Sequence, residues 1–170
     1  MGALLGGTFG SRLNRRLREE LGYTYVARAG FDPRRSAGPF IARAAVQTEV
    51  TAPAVAEILA QIERLRAEPP EAQELREVKD FLIGIFPLRF ETTGGVAAAI
   101  EPVAVYGLPD DWWATYRDRI EAVGQAESYA AAVDYLRPAE ALILLTGDAD
   151  AIRGDLEAAN LGPVEVIQAD

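Results

Sequence analysis

A glycine turn, an arginine-rich amphipathic helix and an aromatic strand follow one another near the start, and this order constrains the fold more than any other feature. The stretch is LGGTFGSRLNRRLREELGYTY, residues 5–25. Ser11 stands where a helix through Leu21 needs its N-cap. Leu13, Leu17 and Leu21 recur every four residues as an apolar stripe, with Arg12, Arg15, Arg16 and Glu19 on the other sides. Gly22 occupies the place where a helix closes on a left-handed residue. Residues 23–31 then alternate as a strand does: Tyr23, Tyr25, Ala27, Ala29 and Phe31 share one face, and Thr24, Val26, Arg28 and Gly30 the other. Arg18 falls one turn from the helix end and Tyr25 just inside the strand.

The remainder reads as a hairpin partner followed by helices. Residues 32–38 carry turn chemistry, and residues 39–48 form a second, antiparallel strand. A helix starts at Thr51 with Pro53 in its first turn, buries Val55, Ile58, Leu59, Ile62 and Leu65, and stops at Pro69-Pro70. Glu71 and Glu74 open the next helix, which Pro87 must end or kink. Gly94-Gly95 and Pro102 predict bends in the following apolar helix. Trp112, Trp113, Tyr116 and Ile120 mark another helix, in which one tryptophan faces the core and the other does not. A helix over 127–136, a buried strand over 140–146, a helix over 151–160 and a last strand over 163–168 complete the order. The fold class is α+β, with helices packed on one face of a mainly antiparallel sheet.

Composition narrows the chemistry. The 170 residues suffice for one domain with a real core. No apolar run approaches the ~20 residues of a membrane-spanning helix. A formal charge of −9 argues against nucleic acid, whose phosphates need a basic surface. Cysteine and histidine are both absent. That removes disulfides, thiol catalysis, the usual general base and the commonest zinc ligand. Asp148 and Asp150 are a close acidic pair without the spacing of a calcium loop. The compartment stays open between bacterial periplasm and cytoplasm, since chains without cysteine occur in both. Lys79 is the sole lysine among many arginines, which reads as genome base composition.

Five segments in this order carry a family resemblance: residues 5–25, ELREVKDFLIGIFPLRFETTGGVA (74–97), YGLPDDWWATYRDRIEAV (106–123), YLRPAEALILLTGDADAI (135–152) and GPVEVIQAD (162–170). Together they resemble the non-catalytic, C-terminal-type half of pitrilysin-type (insulinase-type) zinc metallopeptidases, relatives of mitochondrial processing peptidase. In that family two homologous halves close as a clamshell, in one chain or as separate subunits. One half carries the inverted zinc motif H-x-x-E-H, which a chain without histidine cannot contain. The resemblance therefore implies no metal in this chain, zinc in a homologous partner half, and an extended peptide enclosed between the two. It implies no catalysis by this chain alone.

The family's non-catalytic half supplies an arginine and, seven positions on, a tyrosine that reach the substrate. Arg18 and Tyr25 fit that pattern, and Tyr23 is second choice for the tyrosine. On residue chemistry alone, Arg18 equally suits a surface pair with Glu19, and Tyr25 an inward strand aromatic with its hydroxyl at the rim. Gly6 and Gly7 are either a substrate-entrance loop or a helix-ending turn. Arg34 and Arg35 are either a solvated hairpin tip or a site for an acidic peptide or partner. The family half usually begins with strands before the glycine turn. Residues 1–170 are accordingly read as one half-domain, a fragment of a longer chain or one whose first strands come from elsewhere. An open sheet edge would follow, and with it self-association. Gly124 stands where the family has threonine, which weakens a helix cap. The alternative within the same fold is a scaffold subunit with no proteolytic role.

Overall fold

A computed structural model describes residues 1–168. The chain opens with two wide helical segments, Ala3–Gly7 and Asn14–Glu20, followed by β1 (Ala27–Phe31) and β2 (Phe40–Ala44). Six α-helices follow: α1 (Thr51–Ala67), α2 (Ala72–Ile85), α3 (Thr93–Tyr106), α4 (Tyr116–Ala122), α5 (Gln125–Tyr135) and α6 (Ala149–Ala158). The architecture is α+β, as the alternation and helical periodicities predict.

The hairpin is antiparallel, with Ala27 opposite Ala44, Ala29 opposite Ala42 and Phe31 opposite Phe40. Its inward face is made of alanines because a helix lies close against it. A Cβ on Gly6 would sit 2.3 Å from the Ala29 amide nitrogen, so only glycine admits this approach. Leu4, Leu5, Leu13 and Leu17 fill the same side and meet Ile62 and Leu65 of α1, Leu75 and Val78 of α2, and Ala132 and Leu136 at the end of α5. The outward face carries Arg28, Ile41 and Arg43, all exposed.

Local chemistry sets the helix ends. Gly22 adopts φ +67°, and the Tyr23 N–H donates across it to the Leu17 carbonyl at 2.7 Å. This is a helix-ending motif one residue wider than usual, in keeping with the i→i−5 bond from the Leu21 N–H to the Arg16 carbonyl. Pro87 ends α2, and residues Phe86–Phe90 tighten into a 3₁₀ turn. The Asp148 carboxylate caps α6 by accepting from the amides of Asp150 and Ala151. That helix therefore begins at Ala149, two residues before the predicted start. At α5 the Gly124 N–H donates to Glu127, which replaces part of a threonine cap.

Several expectations change. Ser11 does not cap the helix main chain; its hydroxyl accepts from the Asn14 amide at 3.1 Å. Pro102 lies inside α3, which continues through it. Both tryptophans are half-buried: the Trp113 indole donates to the Ala99 carbonyl at 2.7 Å, and Arg119 stacks on Trp112 at 3.7 Å. The predicted strands over 140–146 and 163–168 are extended or turn-like backbone without a ladder. A strand is defined by its paired neighbour, and among the described residues the sheet contains β1 and β2 only. Leu142 and Leu144 are left 93% and 83% exposed. The final two residues of the 162–170 segment lie outside the described residues.

Candidate functional site

The site is built around the passage from the second helical segment to β1. Asn14 is buried and uses its whole amide. Its Nδ2 donates to the carbonyls of Thr8 (3.0 Å) and Ala27 (2.9 Å), and its Oδ1 accepts from the Ala27 N–H at 2.8 Å. One side chain thus holds the glycine turn, the helix and the first residue of β1. Between the two ends, the Thr24 hydroxyl reaches the Ala45 carbonyl at 2.6 Å and the Val26 carbonyl at 3.0 Å. Tyr23 packs against the core.

These ties delay the strand until Ala27, so Tyr25 leaves the inward face that alternation assigns to it. It is 95% exposed, and among the described residues its hydroxyl makes no hydrogen bond. Arg18 is partly buried. Its guanidinium carbon lies 3.7 Å from the centre of the Phe9 ring, and Nη1 is 3.7 Å from the Glu19 carboxylate. Nη1 is shielded from solvent with no hydrogen-bond partner. No bond joins Arg18 to Tyr25 among the described residues. They are linked through a backbone tied at Leu17–Tyr23, Thr24–Ala45 and Asn14–Ala27.

Gly6 and Gly7 close the first helical segment, with Gly6 against β1 and Gly7 exposed. Arg34 folds onto Asp32 at 2.7 Å, and Arg35 is exposed on the hairpin tip. The tip itself is pinned to α3, where the Tyr106 hydroxyl donates to the Pro33 carbonyl at 2.8 Å.

The helical segment bearing Arg18 is anchored at its other sides by ion pairs. Arg12 forks onto Glu74 of α2 at 2.7 and 2.8 Å. The hydrogen bonds to Glu74 raise the Arg12 pKa against the opposing effect of burial. Arg16 meets Glu57 of α1 at 3.0 Å. Burial pushes the Glu57 carboxyl up, but hydrogen bonds from Gln61 and Arg16 and the charges of Arg16 and Arg64 outweigh it, so its pKa is lowered.

Among the described residues, no group of three or more acidic side chains could hold a metal ion. The side chains present do not fit zinc, since the chain has neither histidine nor cysteine. What the arrangement offers is a phenol, a guanidinium and a rigid backbone between them.

Residues 1–82 match the family model described as the peptidase M16 inactive domain. This first part of the chain resembles a peptidase M16 inactive domain. Among curated proteins, none matches it. Solved structures with the same fold include the peptidase M16 inactive domain from Pseudomonas fluorescens, with 23% identity and a TM-score of 0.72 over 80% of this chain and 32% of that one. A protease from Helicobacter pylori shows 20% identity and a TM-score of 0.69 over 79% and 32%. A conserved protein from Enterococcus faecalis V583 shows 18% and 0.65 over 77% and 30%. The chain spans about a third of the length of these structures.

Two residues of the candidate site escape sequence reading. Asn14 had one available signal: asparagine is a poor helix-interior residue, and its presence there marks a side chain bonded elsewhere. Phe9 had none, because nothing in the spacing relates a turn aromatic to Arg18.

Proposed function

We propose that this chain is the non-catalytic half of a two-half, inverzincin-type zinc endopeptidase. It helps enclose an extended peptide and presents Arg18 and Tyr25 to the substrate beside a zinc held by a homologous partner half, fused or separate. The observation that carries this reading is the tied backbone. It displays Tyr25, whose hydroxyl makes no hydrogen bond among the described residues, seven residues after Arg18, whose Nη1 makes no hydrogen bond and only a 3.7 Å ion pair with Glu19. The match to the inactive domain and the fold shared with a protease from Helicobacter pylori support it.

Peptide hydrolysis builds negative charge on the scissile carbonyl oxygen. A phenol O–H and a guanidinium N–H held in place can donate to that oxygen or to neighbouring substrate carbonyls. Zinc in the partner half supplies the activated water; this chain orients substrate and stabilises charge.

The test is kinetic. With the zinc-bearing half present, Arg18→Ala and Tyr25→Phe should each lower kcat/KM by about 100-fold, on the order of 2–4 kcal/mol. Unchanged kcat/KM with both variants folded overturns the reading. The scaffold alternative has one observation in its favour, the Phe9 ring lying over the Arg18 guanidinium. No peptidase activity with a folded, zinc-loaded partner would select it.

A further inference from the structure

The outward face of the β1–β2 hairpin holds a like-charge pair that the fold does not explain. Arg28 and Arg43 stand directly opposite each other across the ladder, and both are exposed. Directly opposed residues have Cβ atoms only about 5 Å apart, and like charges at such positions destabilise a sheet. Neither guanidinium has a hydrogen bond or ion pair among the described residues. This holds in a chain whose 26 acidic residues outnumber its 17 basic ones.

The surroundings form a groove of about 430 Å³. The next cross-strand pair on this face is Gly30 opposite Ile41, an apolar floor with open space above Gly30. Phe31 and Pro33 are also among its lining residues. The groove's own carboxylate, Asp32, is occupied by Arg34, whose Nε and Nη2 donate to it at 3.0 and 2.7 Å. A positive pair and an apolar floor therefore lie two residues apart on a fixed strand, roughly 6.5 Å along it. That is also the spacing of same-side side chains in an extended peptide.

We infer that this groove is a docking site for an acidic, extended peptide segment. A carboxylate of the peptide sits between Arg28 and Arg43, and an apolar side chain two positions away rests on Gly30 and Ile41. The occupant follows from charge complementarity: a carboxylate relieves the repulsion between the guanidiniums and accepts hydrogen bonds from both. The overall charge of −9 disfavours nucleic acid as the source of the anion.

Fluorescence anisotropy on the 170-residue chain tests it without any second half. The probes are labelled Gly/Ser peptides carrying Glu-Ser-Val, Gln-Ser-Val or Lys-Ser-Val. The Glu peptide should bind about tenfold more tightly than the Gln peptide, a preference of about 1.4 kcal/mol, and the preference should shrink as salt rises. Arg28→Gln with Arg43→Gln should abolish it, and Arg34→Gln with Arg35→Gln should keep it. Arg43→Glu should abolish it while leaving the melting temperature equal or higher, because it sets opposite charges across the ladder. Equal binding of the Glu and Gln peptides, or a preference that survives Arg28→Gln with Arg43→Gln, overturns the inference. The assay contains no second half and reads no hydrolysis, so the groove and the composite-site reading fail separately.

Discussion

Asn14 and Ala27 exchange hydrogen bonds in both directions, side-chain amide to main chain, at 2.8 and 2.9 Å. The exchange imitates one rung of a β-ladder and fixes where β1 begins. Removing it leaves a buried N–H and a buried carbonyl without partners, each costing about 1–3 kcal/mol. Asn14→Ala should therefore lower unfolding free energy by about 2–4 kcal/mol in urea titration. Asn14→Asp should also destabilise at neutral pH, because a carboxylate would face the carbonyls of Thr8 and Ala27. A loss below about 0.5 kcal/mol, the scatter expected of an inconsequential substitution, would show that the clamp is dispensable.

Gly6 should be far less replaceable than its neighbour Gly7. Its missing Cβ would meet backbone of β1, whereas a Cβ on Gly7 would lie 3.1 Å from the Ala3 methyl. Gly6→Ala should cost about 1–3 kcal/mol as overpacking and shift the melting temperature clearly more than Gly7→Ala. Equal shifts for the two would contradict the close approach.

Glu57 should shape the acid limb of stability. Its folded pKa lies below the ordinary value of 4.5. The contribution is therefore present above that value and lost as pH falls through the lower, folded pKa. Glu57→Gln should flatten the decline in urea midpoint between about pH 6 and about pH 3. An unchanged acid limb in the variant would assign the decline to other carboxylates.

The extended segment through Leu142 and Leu144 should drive self-association. It is apolar, uncharged between Glu140 and Asp148, and unpaired along its backbone among the described residues. Exposed strand-like segments of this kind invite pairing with another chain. The apparent mass in light scattering should rise with concentration and fall back for Leu142→Lys with Leu144→Lys. A monomer at high concentration would count against the expectation.

The parts of the fold legible in the sequence are those set by local chemistry. Gly22, Pro69-Pro70 and Pro87 mark ends because their backbones permit or forbid particular angles, and the leucine stripe of residues 13–21 points to the core through its period. The Arg12–Glu74 fork was not legible, because its partners are 62 residues apart and each reads alone as a solvated charge. Tyr25 was misplaced for a different reason. Alternation assumes that a strand has begun, and the bonds from Thr24 and Asn14 postpone it by two pairs of residues. The segments over 140–146 and 163–168 have strand composition, but strand composition does not create a neighbour.

The width of the helical segment Asn14–Glu20 bears on how this chain tolerates length changes. Its i→i−5 bonding accommodates more residues in each turn than an ordinary α-helix does. Deleting one residue between Asn14 and Gly22 would let the normal ladder form and would rotate Arg18 away from Phe9 while Asn14 stayed clamped. The number of residues in this stretch, as much as their identity, decides which way the guanidinium points.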